Sequence, residues 1–558
     1  MTYSRDWDRQ AIWRILATDF GTGLDFLTCW QTWKNDPQRP RLLHYVALSP
    51  AAPSLESLQA AAAHDPDLQL LVQELASHWV NLLPGFQRLT LAEGQVLLTL
   101  CIGELQPLLR AQQFLADAVI LFNDGNIWTV KALARCCRRG TLLTSTWTSA
   151  ALQADLTQCG FTLDMQPTDL PTGSLRGQFN PRWQLKGSRQ TTAPLAAKVA
   201  SCTVVGAGLS GASVAAALAQ RGWQVRVLDQ GEAPAAGASG LPVGLVLPHV
   251  SADDCPLSRL TRSGVRLTLQ QAQRLLRPGL DWAASGTLEH RVDGTLWHAQ
   301  AAWLKPAELV RALLSQPGIQ FQGGVHVTAL RQCGDLWELL DAQGKILSCT
   351  RRVVFANAQG VRPLLAGLQA SQPDGAPQLK QLPALHGVRG QMSWGWHADL
   401  PEAVFPPFPV NGAGSVISQV PVPQAAGESK TAKAWFVGAS YEPADALPVP
   451  EQENHAANLA RLKTLLPTLA QVLAPEFQAG RINSWHSTRC VTADRLPVVG
   501  PLDHLPASSL WICAGMGSRG LTFAVLCAEL LAARWGAEPL PVEAALAAAL
   551  NALRSKAP

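Results

Sequence analysis

Three glycines spaced G-x-G-x-x-G (Gly206, Gly208 and Gly211) stand in the middle of the chain, within CTVVGAGLSGASVAAALAQRGWQVRVLDQ. This spacing suits a pyrophosphate site, because the first glycine permits a tight turn, the second a close backbone approach and the third close packing of helix on strand. The N–H groups at the start of the following helix favour phosphate. Asp229, at the end of the next strand, is placed to accept hydrogen bonds from a ribose. An acid there favours FAD or NAD over NADP.

The elements around this turn form a βαβ unit. Residues 201–205 are small or β-branched and predict a buried parallel strand, an alanine-rich helix ends at Gly222, and WQVRVLDQ is the second strand. Two later stretches, GASGLPVGLVLPHVS and RRVVFANAQG, supply a loop and a further strand of the same domain. In LWICAGMGSRGLTFAVLCAELLAARW, Gly515, Gly517 and Gly520 precede a helix whose dipole suits the pyrimidine edge of a flavin. Two such helix starts far apart favour the long dinucleotide FAD.

These stretches define the predicted FAD-binding residues. The predicted set is Gly206, Gly208, Leu209, Ser210, Gly211, Asp229, Gln230, Ser239, Gly240, Gly244, Val327, Ala356, Gly517, Ser518, Arg519, Gly520, Leu521 and Thr522.

From about residue 198 to the end, the chain resembles the glycine oxidase and D-amino-acid oxidase group of flavoproteins. In TRCVTADRLPVVGPL, Arg489, followed by Asp494, Pro497 and Gly500, matches the segment in which that group's arginine binds a substrate carboxylate. A guanidinium fork fits a carboxylate bidentately. The resemblance implies hydride transfer from an amine to flavin N5, with molecular oxygen as acceptor. We assign no protein general base, since the flavin carries the chemistry. Arg389 and Gln391, in RGQMSWGW, are further candidates for substrate binding.

The first two hundred residues carry a second glycine turn. Gly21 and Gly23, in ILATDFGTGLDFLTCWQTW, resemble the turn of an S-adenosylmethionine-dependent methyltransferase. LLHYVALSP and ADAVILFNDGNIW supply further strands, so the alternation predicts a parallel sheet with helices on both faces. Asp124 is the methyltransferase catalytic candidate.

Together the two halves resemble the bifunctional tRNA 5-methylaminomethyl-2-thiouridine biosynthesis proteins over nearly the whole chain. The similar segments are FGTGLDFL, LPGFQRL, GASGLPVGLVLPHVS, VRGQMS, DRLPVVGPL and GMGSRGLTFAVLCAELLA. The resemblance implies work on the wobble uridine of tRNA. The FAD half removes the carboxymethyl group from 5-carboxymethylaminomethyl-(2-thio)uridine, and the other half methylates the resulting amine with S-adenosyl-L-methionine.

The first half departs from the family pattern at three places. Ala17 stands where the family has an acid before the glycine turn, and Leu48 or Ser49 stands where an acid would meet the ligand's ribose. The stretch FNDGNIWT shortens a loop of the substrate site. Lost ribose acceptors weaken binding, because buried hydroxyls then lack partners. We therefore expect a methyltransferase fold with little or no methylation, kept as a scaffold or tRNA-docking module.

The predicted fold class is α/β. A methyltransferase-type domain (residues 1–170) and a linker (171–198) precede an FAD-binding Rossmann-type domain (199–558), whose inserted α+β substrate subdomain lies mainly in 290–320 and 380–485. Basic residues of the linker, interleaved with Phe179 and Trp183, and a basic run of Lys131, Arg135, Arg138 and Arg139 are candidate contacts to tRNA phosphates. Solvated surface is the equal alternative.

Bulk composition bounds the remaining function classes. The 558 residues are 47% hydrophobic and 15% charged, which indicates a globular protein, and the net charge of +4 permits a nucleic-acid partner without requiring one. The twelve cysteines contain no C-x-x-C pair, so no metal site is predicted. Short apolar runs and an N-terminus with charges of both signs predict a cytoplasmic protein without a membrane span. A small-molecule oxidase of the glycine or sarcosine type, with a non-catalytic N-terminal module, is the alternative function.

Overall fold

The computed structural model describes residues 7, 10–122, 124–164, 174–186, 200–370, 382–397, 400–423, 431–503 and 508–554. The chain divides into two compact units. The first unit is Met1–Val199 with Glu529–Ala548, and the second is Ala200–Ala528 with Ala549–Pro558. The sequence analysis placed all of residues 199–558 in one FAD-binding domain, whereas residues 529–548 return to the first unit.

The first unit is built on an eight-stranded sheet of order β3-β4-β2-β1-β5-β6-β8-β7. Neighbouring strands are parallel from β4 to β6, and β3, β7 and β8 run antiparallel to their partners. Its strands are β1 (Ile12–Ala17), β2 (Leu42–Ser49), β3 (Gly85–Leu91), β4 (Val96–Ile102), β5 (Ala116–Leu121), β6 (Cys137–Ser145), β7 (Phe161–Asp164) and β8 (Leu175–Phe179). Strand order reverses between β1 and β5, which is where such sheets bind ligands.

Helices cover both faces of this sheet and bury two separate apolar cores, one around Phe26 and Trp30 and the other around Leu133 and Leu156. Four of these helices start at a side-chain cap, which satisfies free N–H groups of the first turn. The helices are α1 (Leu24–Asn35), α2 (Leu55–Ala61), α3 (Pro66–Ala76), α4 (Leu105–Arg110), α5 (Ile127–Arg135) and α6 (Ala150–Gln158).

Strand β8 lies inside the stretch predicted as a linker. It pairs with β6 and β7, and Phe179 is only 1% exposed, in the second core. Phe179 is therefore packed inside the unit, and the prediction that it belongs to a linker in contact with tRNA is wrong. The remaining predicted linker residues 171–173 and 187–198 lie outside the described part of the chain.

The nucleotide-binding part of the second unit is a six-stranded sheet of order β16-β10-β9-β20-β28-β27, parallel except for β27. Its strands are β9 (Ser201–Val205), β10 (Gln224–Leu228), β16 (Ile319–Gln322), β20 (Val353–Phe355), β27 (Val498–Pro501) and β28 (Leu510–Ala514). Strands far apart in sequence thus become neighbours, which brings the predicted glycine turns of residues 206 and 515 to one edge.

A second eight-stranded sheet in this unit has the order β14-β13-β22-β23-β24-β21-β25, with β26 paired to β21. Its strands are β13 (Thr287–Arg291), β14 (Gly294–His298), β21 (Leu385–Trp396), β22 (Val410–Gly412), β23 (Gly414–Pro423), β24 (Thr431–Gly438), β25 (Glu442–Pro443) and β26 (Asn483–Thr492). This is the predicted inserted subdomain, but it starts at Thr287 and extends to Thr492. Residues 306–322 are not part of its sheet, because β16 belongs to the nucleotide-binding sheet.

Two three-stranded sheets and a set of helices are the other elements that the structure describes for the second unit. The sheets contain β11 (Gly244–Val246), β12 (Trp282–Ala283) and β15 (Ala302–Leu304), and β17 (Ala329–Cys333), β18 (Leu336–Leu340) and β19 (Ile346–Thr350). The helices are α7 (Leu209–Gln220), α8 (Pro256–Leu275), α9 (Pro306–Leu314), α10 (Val361–Ala370), α11 (Glu451–Leu465), α12 (Pro467–Gln478), α13 (Gly520–Gly536) and α14 (Ala544–Ala549), of which the last two carry residues of the first unit. None of the helices in the described ranges is long and apolar enough to cross a membrane.

A buried ion triad joins three neighbouring strands of the first unit, β1, β5 and β6. The Asp117 carboxylate accepts hydrogen bonds from Arg14, at 3.2 Å, and from Arg138, and all three side chains are at most 6% exposed. Arg138 is therefore committed inside the unit, and the prediction that it contacts tRNA phosphate is wrong. A triad of this kind constrains the sheet because removing one partner leaves buried charge uncompensated.

We expect Asp117→Ala to lower the free energy of unfolding by about 3–5 kcal/mol, because two buried guanidinium groups lose their counter-charge. Urea unfolding followed by tryptophan fluorescence measures the change. The matched control is Asp335→Ala, which breaks an exposed pair with Arg351 and should cost at most about 1 kcal/mol. Equal effects of the two variants would contradict a structural role for the triad.

Candidate functional site

A cavity of about 1100 Å³ lies in the second unit, where the glycine turns of the nucleotide-binding sheet face the inserted sheet. Its size suits a large cofactor rather than a single small metabolite. Of the predicted FAD-binding residues, those that line it are Gly206, Gly208, Leu209, Ser210, Asp229, Gln230, Ser239, Gly244, Val327, Ala356, Gly517, Ser518, Gly520 and Leu521.

The glycines of the first turn pack so closely against neighbouring backbone that a side chain on them would have no room. Gly206 has φ +110°, a conformation unfavourable for other residues, and a Cβ on it would lie 2.6 Å from the Ala356 carbonyl oxygen. A Cβ on Gly211 would lie 1.8 Å from the Gly206 carbonyl oxygen. Gly208 precedes the first residue of α7 and lies beside the Ser239 hydroxyl, which accepts a hydrogen bond from the Leu209 N–H at 2.9 Å. The backbone here therefore approaches the cavity as a pyrophosphate site requires.

Asp229 stands at the C-terminal end of β10, as predicted. Its carboxylate accepts hydrogen bonds from the N–H groups of Ala207, at 2.5 Å, and Gly231, at 2.8 Å. These bonds fix the carboxylate at the cavity wall beside the glycine turn. A ribose hydroxyl reaching this carboxylate would meet a preorganised acceptor.

Asn357 also lines the cavity, and it lies in the stretch RRVVFANAQG, although it was not among the predicted FAD-binding residues. Its Oδ1 atom is buried and has no hydrogen-bond partner among the described residues. A buried acceptor without a partner is costly, and a bound donor would satisfy it. This orphaned oxygen and the glycine turn show that the residues present fit a dinucleotide.

Arg489 enters the cavity from β26. Its Nη1 donates to the Ser518 hydroxyl at 2.9 Å and its Nη2 donates to the Ser440 carbonyl oxygen at 3.1 Å. Burial lowers the pKa of the guanidinium, whereas Tyr441, whose ring centroid is 5.8 Å from Cζ, raises it. An arginine remains protonated despite such a shift. A half-buried cation with N–H groups to spare is a receptor for a carboxylate.

Gly390, on β21 beside Arg489, makes room for this guanidinium. A Cβ on Gly390 would lie 1.8 Å from the Arg489 Nη2 atom. Gly390 and Met392 line the cavity, whereas Arg389 and Gln391 do not. Successive residues of a strand point to opposite faces, so residues 389 and 391 point the other way.

The structure therefore does not bring the two other predicted substrate-binding residues to the site. Arg389 donates to the carbonyl oxygens of Ala444, at 2.9 Å, and Ala446, at 2.6 Å. The Gln391 side chain donates to the Glu451 carbonyl oxygen at 3.1 Å. Both hold the segment that follows β24.

Four predicted FAD-binding residues also lie outside the cavity lining. Gly211 and Gly240 make close backbone contacts behind the turn, and the Thr522 hydroxyl lies 3.4 Å from the Leu247 carbonyl oxygen, to which it donates. The pKa of Arg519 is lowered by burial and by Arg495. The lining residues that were not predicted include His326, Asn411, Trp485 and Met516, which come from four separate parts of the chain.

The first unit has its own ligand-site candidate, at the ends of β1 and β5. Gly21 and Gly23 adopt positive φ angles of 53° and 79°, as a tight glycine turn requires. Ala17 is fully buried in the core, and the Ser49 hydroxyl donates to the Ala51 carbonyl oxygen at 2.7 Å. The strand ends therefore present no carboxylate at the two places where the family has one.

Asp124 is exposed in the short connection after β5. Its carboxylate accepts a hydrogen bond from Ser149, the N-cap of α6, at 2.7 Å. Its neighbour Asn123 lies outside the described residues. Among the residues that are described, no group of three or more His, Cys, Asp or Glu side chains could hold a metal ion.

The chain matches two families. Residues 201–293 and 288–534 match the profile of FAD dependent oxidoreductases, and residues 66–169 match that of an S-adenosyl-L-methionine-dependent methyltransferase family. The fold and the glycine-lined cavity thus define an FAD-dependent oxidoreductase joined to a methyltransferase-type domain.

Relatives of nearly full length share both parts. The tRNA 5-methylaminomethyl-2-thiouridine biosynthesis bifunctional protein MnmC of Albidiferax ferrireducens is 58% identical, over 98% of this chain and 94% of that protein. The protein of the same name from Polaromonas sp. is 45% identical, over 98% of this chain and 91% of its own length. The chain belongs to this family of bifunctional proteins, as the sequence motifs predicted.

A solved structure of glycine oxidase from Geobacillus kaustophilus is also similar to part of the chain. It is 17% identical and covers 64% of this chain and 99% of its own, with a TM-score of 0.48. No conclusion about activity rests on a likeness of this strength.

We expect Gly211→Ala to weaken FAD binding roughly tenfold or more, because its Cβ must displace the Gly206 carbonyl and with it N–H groups that meet phosphate. Flavin absorbance of the purified protein and a fluorescence titration measure the loss. Gly367→Ala, in a helical position where a Cβ meets nothing within 4 Å, is the matched control and should bind FAD normally. Full FAD occupancy in the Gly211 variant would show that the close contact is dispensable.

Proposed function

We propose that this protein acts on the wobble uridine of tRNA, where its second unit removes the carboxymethyl group of 5-carboxymethylaminomethyl-(2-thio)uridine and leaves 5-aminomethyl-(2-thio)uridine. The observation that carries the proposal is the Arg489 guanidinium, held at a dinucleotide-sized cavity with N–H groups free for a carboxylate. The carboxymethylamino group is chemically a glycine attached through its nitrogen. Membership of the family supplies the tRNA.

Different residues would bind different parts of FAD and of the substrate. The glycine turn and Asp229 would hold the adenosine and pyrophosphate part of FAD. The start of α13 would face the flavin ring. Bound FAD would supply the acceptor for a hydride from the carboxymethyl carbon next to the nitrogen, and water would then hydrolyse the resulting imine, which breaks the N–C bond and releases the two-carbon fragment as glyoxylate. Arg489 binds the carboxylate and so orients the amine, and orientation of this kind contributes most of what the protein adds.

Ser518 and Ser440 keep the Arg489 guanidinium in place. Each occupies a different terminal nitrogen, so the guanidinium plane is fixed before substrate arrives. A preorganised fork loses less entropy on binding than a free side chain. We further propose molecular oxygen as the electron acceptor and the cytoplasm as the place of action, where tRNA is found.

We propose that the first unit no longer methylates, or does so weakly, and that it helps to dock tRNA. Ala17 and Ser49 in place of acids support the first part. For the second, Trp128 is 60% exposed, and the Lys131 ammonium lies 4.6 Å from its ring. Lys131 and Arg135 follow Trp128 at helical spacing on α5 and are exposed with it, which suits a base and neighbouring phosphates.

Nucleoside mass analysis tests the proposed function. Substrate tRNA carrying 5-carboxymethylaminomethyl-uridine is incubated with the FAD-loaded protein and oxygen, with and without S-adenosylmethionine, and then digested. We expect 5-aminomethyl-uridine in both reactions. Appearance of 5-methylaminomethyl-uridine only with S-adenosylmethionine would overturn the loss of methylation, and an unchanged substrate would overturn the oxidative step.

We expect Arg489→Ala to raise the KM for tRNA by roughly tenfold or more, because the substrate loses a charge-assisted hydrogen-bonded partner. Stopped-flow flavin reduction measures KM and the limiting rate. Arg489→Lys should recover only part of the effect, since a point charge lacks the fork. Arg331→Ala, which removes an exposed arginine paired with Glu338, is the matched control with no expected effect. An unchanged KM in Arg489→Ala would remove this residue from the site.

A further inference from the structure

We infer that Tyr441 is the platform on which the target uracil stacks while Arg489 holds the carboxymethyl group. The inference rests on the proposed function and assigns it a specificity-determining residue. Tyr441 is 60% exposed, and its ring centroid lies 5.8 Å from the Arg489 Cζ atom. The aromatic face therefore stands next to the carboxylate receptor.

The length of the substrate matches this arrangement. The –CH2–NH–CH2– chain between the carboxylate carbon and C5 of uracil spans roughly 5 Å when extended. A carboxylate on the Arg489 guanidinium therefore places the base within reach of a ring 5.8 Å away. A free amino acid has no base at this distance, so the ring discriminates between the tRNA substrate and small N-alkylglycines.

The Tyr441 side chain belongs to a segment that several hydrogen bonds hold to β21. The Ser440 N–H donates to the Gln391 carbonyl oxygen at 3.0 Å, and the Ser440 hydroxyl accepts from the Gln391 N–H at 2.9 Å. Strand β25, which begins one residue after Tyr441, pairs with β21, and Arg389 holds the two carbonyl oxygens of Ala444 and Ala446. The platform is thus preorganised, which reduces the entropy lost on binding.

The hydroxyl group of Tyr441 is not part of the argument. No hydrogen bond joins it to any residue that the structure describes, so the aromatic face is the feature presented to the substrate. Stacking of a nucleobase on an aromatic side chain does not require a hydroxyl. Phenylalanine should therefore replace tyrosine, whereas alanine should not.

The test compares two substrates in Tyr441→Ala and Tyr441→Phe. For tRNA carrying 5-carboxymethylaminomethyl-uridine, we expect Tyr441→Ala to lower kcat/KM of flavin reduction by roughly ten- to hundredfold, mostly through KM, and Tyr441→Phe to stay within about twofold. For N-methylglycine, both variants should match the parent protein. Leu447→Ala, in the same segment and 90% exposed, is the matched control with no expected effect on either substrate.

A binding measurement separates stacking from turnover. Fluorescence anisotropy with a labelled anticodon stem-loop carrying the same nucleoside should show a similar loss of affinity in Tyr441→Ala and none in Leu447→Ala. Retained flavin absorbance shows that the variant is folded.

Each other outcome is decisive. An unchanged kcat/KM for tRNA in Tyr441→Ala would overturn the stacking role. An equal fall for tRNA and N-methylglycine would overturn it as well, because the ring would then support Arg489 rather than the base. If the parent protein reduces its flavin with N-methylglycine but not with tRNA, the proposed function itself fails, and the assignment of Tyr441 fails with it.

Discussion

The contact between two backbone segments, Gly211 against the Gly206 carbonyl, is the constraint on which the second unit depends. It brings α7 down onto β9 so closely that no side chain fits between them. Because of this approach, the N-terminus of α7 points into the cavity. The same turn lies against the Ala356 carbonyl, so strand β20 is fixed to it. At this turn the cavity wall is therefore made of backbone, whose position does not depend on rotamers.

The features of the site that depend on local backbone geometry could be predicted from short stretches of sequence. The glycine turn, Asp229 and the helix start at Gly520 follow from short-range rules, and their placement at one cavity follows from parallel strands ending at the same edge. The side of β21 that faces the cavity could not be predicted in this way. The segment RGQMSWGW has buried residues on both faces, so its pattern does not reveal that residues 390 and 392, rather than 389 and 391, face the site. For β8 the signal was present, since buried Leu175, Gly177 and Phe179 alternate with less buried neighbours.

The residues set aside from the site still contribute to it. Arg389 and Gln391 lie on the far side of β21 and hold the chain that carries Ser440 and Tyr441. Their influence on a substrate is therefore indirect and acts through position. The arginine that touches the cavity and the arginine that anchors the neighbouring segment come from two paired strands, with Val388 opposite Arg489 in register. Both arginines lie in segments that are similar to those of the family. That similarity does not distinguish the arginine that faces the cavity from the arginine that anchors the neighbouring segment.

The membership of residues 529–548 in the first unit bears on how the chain is made. Within that unit, the buried Arg88 and Arg14 donate to the carbonyl oxygens of Pro539 and Gly536, and Glu538 lies 3.1 Å from the His44 ring. These partners follow the strands of the nucleotide-binding sheet in the sequence, so the ribosome adds them after that sheet. The first unit is therefore expected to complete its folding only after the nucleotide-binding sheet of the second unit has been synthesised, whereas domains more often fold in order from the N-terminus during synthesis. A single cut between residues 199 and 200 would therefore not separate the two units, because residues 529–548 of the first unit lie on the far side of the cut.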